Sequence, residues 1–208
     1  VPTTLLVPQV IDAVGDQVPV VAAGGFRDGR GLVAALSWGA DGIAMGTRFL
    51  MTLESPVPDD TLQRYVDCRD PAAIIRSTAM DGLPQRMIMN EFLGELEKAD
   101  GIKKLLLAVR SGLAFRRHTG ASIGGLLKSA VAMQRNEGLT PAQSIMSANA
   151  PMIIQKAMVE GRPAEGVLPS GQVAAVIDRL LTCEALISGI VAEAEQRLSA
   201  LAARAANT

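Results

Sequence analysis

Two apolar runs in the first fifty residues each end in glycine and hand over to a new element. The first is VPVVAAG, residues 18–24, which opens the stretch VVAAGGFRDGRGLVAAL, and the second is DGIAMGTRFL, residues 41–50, ending at Gly46 and Thr47. Each run is apolar on both faces, as strands buried in a parallel sheet are. Asp28 is placed to cap a helix over GRGLVAALSWGA. Upstream, TTLLVPQVIDAV sets Leu5, Leu6, Val10, Ile11 and Val14 on one helical face, with Thr3 or Thr4 as its cap. The order α-β-α-β with short connections fits a parallel α/β sheet or a (β/α)8 barrel.

Glycine at a strand end admits positive φ and lets an oxygen-rich ligand approach the backbone closely. The free N–H groups of such a turn, and of the helix that follows, favour an anion. One such junction is explained equally well by a tight turn. Two of them, about twenty residues apart, would emerge on the same edge of a parallel sheet and face one ligand. Phosphate is held in this way by the loops after the last two strands of many barrels. Gly24, Gly25, Gly46 and Thr47 would supply the donors, with Arg48 adding charge or forming a salt bridge on the rim. The alternative is two independent structural turns. The spacing matches neither a dinucleotide-binding GxGxxG nor a nucleotide-binding P-loop.

Past Thr52 the pattern changes. LESPVPDD reads as a Pro-rich, acidic loop, PDDTLQRYVDC as the beginning of a helix and IIRSTAM as a short extended segment. From Asn90 to about Gln134 the pattern is mostly helical, interrupted by Gly101, Gly112, Gly120 and Gly124-Gly125. A helix or helix pair with Pro141 in its first turn follows, then EGVLPSGQVAAVID as a loop leading to a small helix. The last helix carries Leu186, Ile187, Ile190, Val191, Ala194, Leu198 and Leu201 in one stripe. The expected domains are residues 1–55 as barrel units, 56–165 as a mostly helical insert, and 166–208 as a return loop and packing helix.

With 49% hydrophobic residues, 20% charged residues and a net charge of −1, the chain reads as globular and not as a globally basic nucleic-acid binder. Two cysteines, Cys68 and Cys183, fit a reduced, cytoplasmic setting and read as packed thiols. With one histidine and two distant cysteines, metal binding has no support. No apolar run reaches the ~18 residues of a membrane span. Met87, Met89, Met146 and Met152 read as core filler, with a flexible apolar pocket as the other reading.

The stretch VPVVAAGGFRDGRGLVAALSWGADGIAMGTRFLMT closely resembles the last two β-α units of the nitronate monooxygenase family, FMN-dependent (β/α)8-barrel oxidoreductases. The likeness continues through SANAPMIIQKAMVEGRPAEGVLPSGQVAAVIDRL. It implies an α/β chain that is the C-terminal part of a TIM-type barrel with a mostly helical insert. It implies that the backbones of Gly24-Gly25 and Gly46-Thr47 cradle the FMN phosphate. Ala22 and Ala23 would lie near the strand end under the flavin, and Ser170 to Gln172 would return toward the ring.

The family's catalytic histidine sits in a Gly-rich loop just before the helix that begins here at TTLL. It therefore falls upstream of Val1, and no catalytic residue is expected in this chain. His118 does not match that position. Two strands cannot close a barrel of eight, so the residues are expected to belong to a longer polypeptide supplying the missing N-terminal barrel segment.

The insert resembles an actinobacterial branch that includes enzymes acting on CoA-linked steroid remnants. The expected substrate is an alkyl nitronate or an acyl-CoA. Lys103, Lys104, Arg110, Arg116, Arg117, Lys128 and Arg135, with no acidic residue among positions 101–135, would meet an anionic substrate or form a solvated face. The last helix can pack the barrel or join a homo-oligomer. The second functional reading is a non-catalytic phosphate- or FMN-binding subunit completed by a partner chain.

Overall fold

Helix α1, Thr3–Val14, leads to strand β1, Val21–Ala23, helix α2, Gly29–Ser37, and strand β2, Gly42–Ala44. This is the α-β-α-β order read from the sequence, seen in a computed structural model that describes residues 1–99 and 141–207. β1 and β2 pair in parallel, Val21 with Gly42, Ala22 with Ile43 and Ala23 with Ala44. Both strands are shorter than their apolar runs. Before β1, Val20 and Asp41 bond each other, Val20 N to Asp41 Oδ2 at 2.7 Å and Asp41 N to Val20 O at 2.8 Å. After β2, Gly46 takes a right-handed helical conformation and opens the short helix α3, Thr47–Leu50. The strand expected over 41–50 therefore becomes a three-residue strand and a helical turn.

The described residues divide into two units: 1–55 with 66–71 and 171–208, and 56–65 with 72–170. In the first unit α1 and α2 cover one face of the β1-β2 pair. Val7, Ala22, Phe26, Ala35 and Ala40 form its buried cluster, with Ile11, Trp38, Ile43 and Met45 at its margin. The buried face of α1 thus runs through Val7 and Ile11, while Leu5, Leu6 and Val10 are exposed. No threonine caps α1 either: Pro2 holds the cap position, and Thr3 Oγ1 donates instead to Gly24 O at 3.3 Å.

Asp28 caps α2 as expected, its carboxylate accepting from Gly31 N at 3.2 Å. Helix α2 lies directly on the last helix, Cys183–Ala205. A Cβ at Gly29 would come 2.6 Å from both Ala194 N and Ile190 O, so only glycine permits this approach. Glu193 Oε2 accepts from Gly29 N at 2.9 Å across the same contact. Of the stripe on the last helix, Leu186, Ile190 and Ala194 are buried, whereas Ile187, Val191, Leu198 and Leu201 remain exposed.

The second unit contains most of helix α4, Asp59–Asp67, and strands β3, Ile74–Ser77, and β4, Gln85–Ile88. Helices α5, Glu91–Lys98, and α6, Pro141–Met158, follow, then strand β5, Leu168–Pro169. The last helix of the first unit is accordingly α7. β3, β4 and β5 form an antiparallel sheet with β4 in the centre. β4 and β5 have no counterpart in the sequence reading, because each is too short to show a period.

Met80, Met87, Leu93, Ala150, Ile153 and Val167 make the core of this unit. Met87 and Met152 are buried fillers, as read, but Met89 is exposed. Asn90 caps α5 and also donates to Pro163 O and Gly166 O. A Cβ at Gly166 would stand 2.3 Å from Ile153 O.

Replacing Gly29 or Gly166 by alanine therefore costs about 1–3 kcal/mol or more through overpacking against backbone, measured as a lower midpoint in denaturant titration. Asp28→Ala removes a cap and costs roughly 1 kcal/mol, with Asp28→Asn close to the parent. Burial pushes the Asp28 carboxyl up, but the Arg30 hydrogen bond, the Gly31 N–H and the charges of Arg30 and Arg27 bring it below its ordinary value overall. That contribution is present above the unfolded carboxylate range and is lost as pH falls through the lowered value. The stability gap between parent and Asp28→Asn should accordingly shrink in acid.

Candidate functional site

The ends of β1 and β2 are level, Ala23 opposite Ala44, so the two glycine turns leave the same edge of the pair. Gly24 and Gly25 follow β1 with φ of 103° and 85°, a conformation that side chains rarely adopt. Gly46 stands at the matching place after β2 and is the N-cap of α3, with no side chain capping that helix. A Cβ built on Gly25 or Gly46 would meet nothing within 4 Å, so both turns face open space. Among the described residues, the N–H groups of Gly24, Gly25, Gly46 and Thr47 meet no protein acceptor. Unpaired donors in front of open space form a surface that an anion satisfies.

Ala22 and Ala23 fall on opposite sides of β1. Ala22 is 2% exposed and packs against the helices. Ala23 is exposed on the other face, beside Gly24. The return loop arrives at the same edge in the first unit. Gly171 N donates to Thr47 Oγ1 at 2.9 Å, joining positions 124 residues apart. A hydroxyl that accepts this bond keeps its own proton to donate elsewhere. Gly171 is the N-cap of a 3-10 helix over Gln172–Val176, and Gln172 is exposed at its start. Ser170 lies at the end of the second unit, its N–H donating to Arg86 O at 3.0 Å.

Arg48 does not extend toward the glycine turns as a charge donor, and its bonds are not to a rim carboxylate. It is 6% exposed, and its Nη1 donates to Met51 O at 3.2 Å and Arg179 O at 3.4 Å. Burial pulls the guanidinium below its ordinary value, opposed by the charge of Asp178. Arg48 lines a cavity of about 270 Å³ together with Arg27, Asp28, Asp178, Arg179 and Glu193. Two of the acids there have partners of their own: Asp28 holds Arg30, and Glu193 holds Gly29 N.

Cys68 is buried, and burial together with Asp70 raises its thiol above the ordinary value, so it is poorly suited to act as a thiolate nucleophile. Cys183 Sγ lies 3.7 Å from Thr52 Oγ1. Tyr65 is fully buried, its hydroxyl bonded to Pro169 O at 2.7 Å, and burial raises its pKa. His118 and the basic residues between positions 101 and 135 lie outside the described residues. Among the described residues no group of three or more His, Cys, Asp or Glu side chains can hold a metal ion, and no helix is long and apolar enough to cross a membrane.

Sequence reasoning missed Arg27 and Arg69 as parts of this neighbourhood, while Gly171 fell within the expected Ser170–Gln172 return. The contacts of both arginines join positions more than a hundred residues apart, and no local pattern signals them.

The chain is 46% identical over 203 residues to the (3aS,4S,5R,7aS)-5-hydroxy-7a-methyl-1-oxo-octahydro-1H-indene-4-carboxyl-CoA dehydrogenase of Rhodococcus jostii strain RHA1, covering 98% of this chain and 57% of that protein. It is 37% identical over 99 residues to a probable nitronate monooxygenase of Staphylococcus aureus strain Newman, covering 48% of this chain and 27% of that one. Among solved structures it resembles FabK from Thermotoga maritima, with a TM-score of 0.67, 25% identity and coverage of 98% of this chain and 52% of that one. It also resembles a nitroalkane oxidase from Streptomyces ansochromogenes, with a TM-score of 0.61, 25% identity and coverage of 97% and 46%. The chain thus spans little more than half the length of the dehydrogenase it matches almost end to end. The signature of the nitronate monooxygenase family matches residues 1–193, and the chain belongs to that family, with its mixed α/β, TIM-barrel type of fold.

Proposed function

We propose that this chain supplies the phosphate-holding side of an FMN site in a flavin-dependent oxidoreductase acting on a CoA-linked substrate. The observation that carries this reading is the pair of open, donor-lined glycine turns at one edge of two adjacent parallel strands. Their chemistry fits a phosphate dianion: backbone N–H donors, a threonine hydroxyl and no Cβ in the way. Gly24, Gly25, Gly46 and Thr47 would hold the phosphate. Ala23, small and exposed beside the turn, leaves room for the ring above the strand end. Gln172 would offer its amide to the polar edge of the ring, its position fixed by the Gly171–Thr47 hydrogen bond.

When bound, FMN supplies two-electron redox chemistry between a substrate and an acceptor. The part played by these residues is to bind, orient and shape the site. No proton-transfer residue is assigned among them.

Several finer readings belong to the same proposal. The chain is the C-terminal part of the barrel: among the described residues β1 and β2 pair only with each other, and Val21 of β1 is 56% exposed. Further barrel strands would cover that surface. Residues 1–55 are the last barrel units, 56–165 the insert, and 166–208 the return loop and packing helix. The cytoplasm is the proposed location, and α7, whose stripe is half exposed, is the proposed homo-oligomer contact.

An acyl-CoA is the substrate favoured here, because the dehydrogenase named for a CoA thioester matches almost the entire chain at 46% identity. An alkyl nitronate is the second reading, favoured by the shorter match to a probable nitronate monooxygenase. A non-catalytic FMN-binding subunit is the third, and it keeps the same cradle.

The complete protein should be yellow, absorbing near ~450 nm. A complete protein that is colourless and takes up no FMN would overturn the reading. Gly46→Val is the discriminating variant, since Gly46 has an ordinary negative φ and open space in front of it. It should lose FMN affinity by about a hundredfold with little change in melting temperature, whereas Gly25→Val, strained at φ 85°, should lose both. Turnover of an acyl-CoA and of an alkyl nitronate, measured side by side with FMN bound, separates the substrates, and activity on neither leaves the subunit reading.

A further inference from the structure

The 3-10 helix Gln172–Val176 ends in a run of carbonyls, and four consecutive ones are taken by guanidinium groups. Arg27 Nη1 donates to Val176 O. Arg69 Nη1 donates to Ile177 O and its Nη2 to Asp178 O, both at 3.2 Å. Arg48 Nη1 donates to Arg179 O at 3.4 Å. We propose that Arg27, Arg48 and Arg69 are positioning residues that clamp the carbonyls of Val176 to Arg179 and thereby set where Gln172 stands beside the glycine turns. The proposal rests on the flavin reading for what Gln172 meets, and on geometry alone for the clamp.

The three arginines come from three places in the chain. Arg27 lies two residues after Gly25, and Arg48 directly follows Thr47. Both glycine turns are thus tied to the same carbonyl run. Arg69 comes from the short segment 66–71. The front of the return loop is fixed separately by the Gly171–Thr47 bond. Within it, Ala174 N donates to Gly171 O at 3.1 Å and Ile177 N to Ala174 O at 3.0 Å. The segment from Gly171 to Arg179 is therefore pinned at both ends, and Gln172 stands beside the front pin.

Arginine suits this task better than lysine. Its planar fork reaches two successive carbonyls at once, as Arg69 does, and a lysine ammonium offers no such fixed geometry. Hydrogen bonds from a charged donor are about twice as strong as neutral ones, and a buried cation must be well bonded to be tolerated. Arg48, at 6% exposure, meets that demand with two carbonyls and the nearby charge of Asp178.

Arg69 is the residue to test, because it lies on neither glycine turn. Arg69→Ala and Arg69→Lys would be made in the complete protein and compared with the parent. Hydrogen exchange at the amides of Gly171, Ala174 and Ile177 should quicken about tenfold in Arg69→Ala, with smaller changes at the α2 amides. FMN affinity should stay within about threefold, while the visible circular dichroism of bound FMN changes and kcat falls roughly tenfold with KM nearly constant. Arg69→Lys, keeping one donor for one carbonyl, should fall between. The clamp is overturned if those amides exchange at the parent's rate. Its role in positioning is overturned if Arg69→Ala only lowers the melting temperature, with the dichroism and kcat of the folded fraction unchanged. If the parent takes up no FMN, the flavin reading falls by itself, and the exchange rates alone decide the clamp, faster exchange supporting it and unchanged exchange removing it.

Discussion

The level parallel pairing of β1 and β2 is the constraint on which the rest of the first unit depends. Backbone amides can bind a doubly charged group without a cationic side chain only when several unpaired N–H groups converge. A single turn contributes too few. Here one register, Ala23 opposite Ala44, sends two turns off the same edge. An antiparallel pair would have sent them to opposite ends. The helices follow from this: α1 and α2 bury the face that carries Ala22 and leave the face of Val21 and Ala23 uncovered.

Charge is handled in an unexpected way at this edge. The sequence leaves Arg48 either adding charge to the glycine turns or forming a salt bridge on the rim, and marks no role for Arg27. Each gives hydrogen bonds to backbone carbonyls. In the proposed site, backbone amides would form the anion-facing surface, while side-chain cations brace the loop behind it. That division has a physical rationale. A long arginine loses rotamer entropy on each ligand encounter, whereas an amide in a strained glycine turn is already oriented. The arginines are immobilised once, on folding.

What the sequence made legible was the local chemistry. The helix over Thr3–Val14, the Asp28 cap, the glycine ends of both strands and the last helix are written in short-range patterns. The misreadings come from long-range packing. The face of α1 was misjudged because Val7, not Leu6 or Val10, meets the sheet, and only the pairing of β1 with β2 decides that. Arg48 was misread because its acceptor, Arg179 O, lies 131 residues away. β4 and β5 were missed because four and two residues carry too little periodicity, and their pairing comes from Met87 opposite Pro169 and Ile88 opposite Leu168.

The path of the chain between the two units carries a further consequence. The second unit is not one continuous insertion: the chain returns to the first unit for the six residues 66–71 before leaving again. That strap holds Arg69, whose fork grips Ile177 O and Asp178 O. A lineage that exchanged the segment from 56 to 170 wholesale would discard the strap with it. Any remodelling of this region that keeps the clamp must therefore spare those six residues, while 56–65 and 72–170, joined through Thr61 Oγ1 to Ala157 O and Tyr65 OH to Pro169 O, must change together.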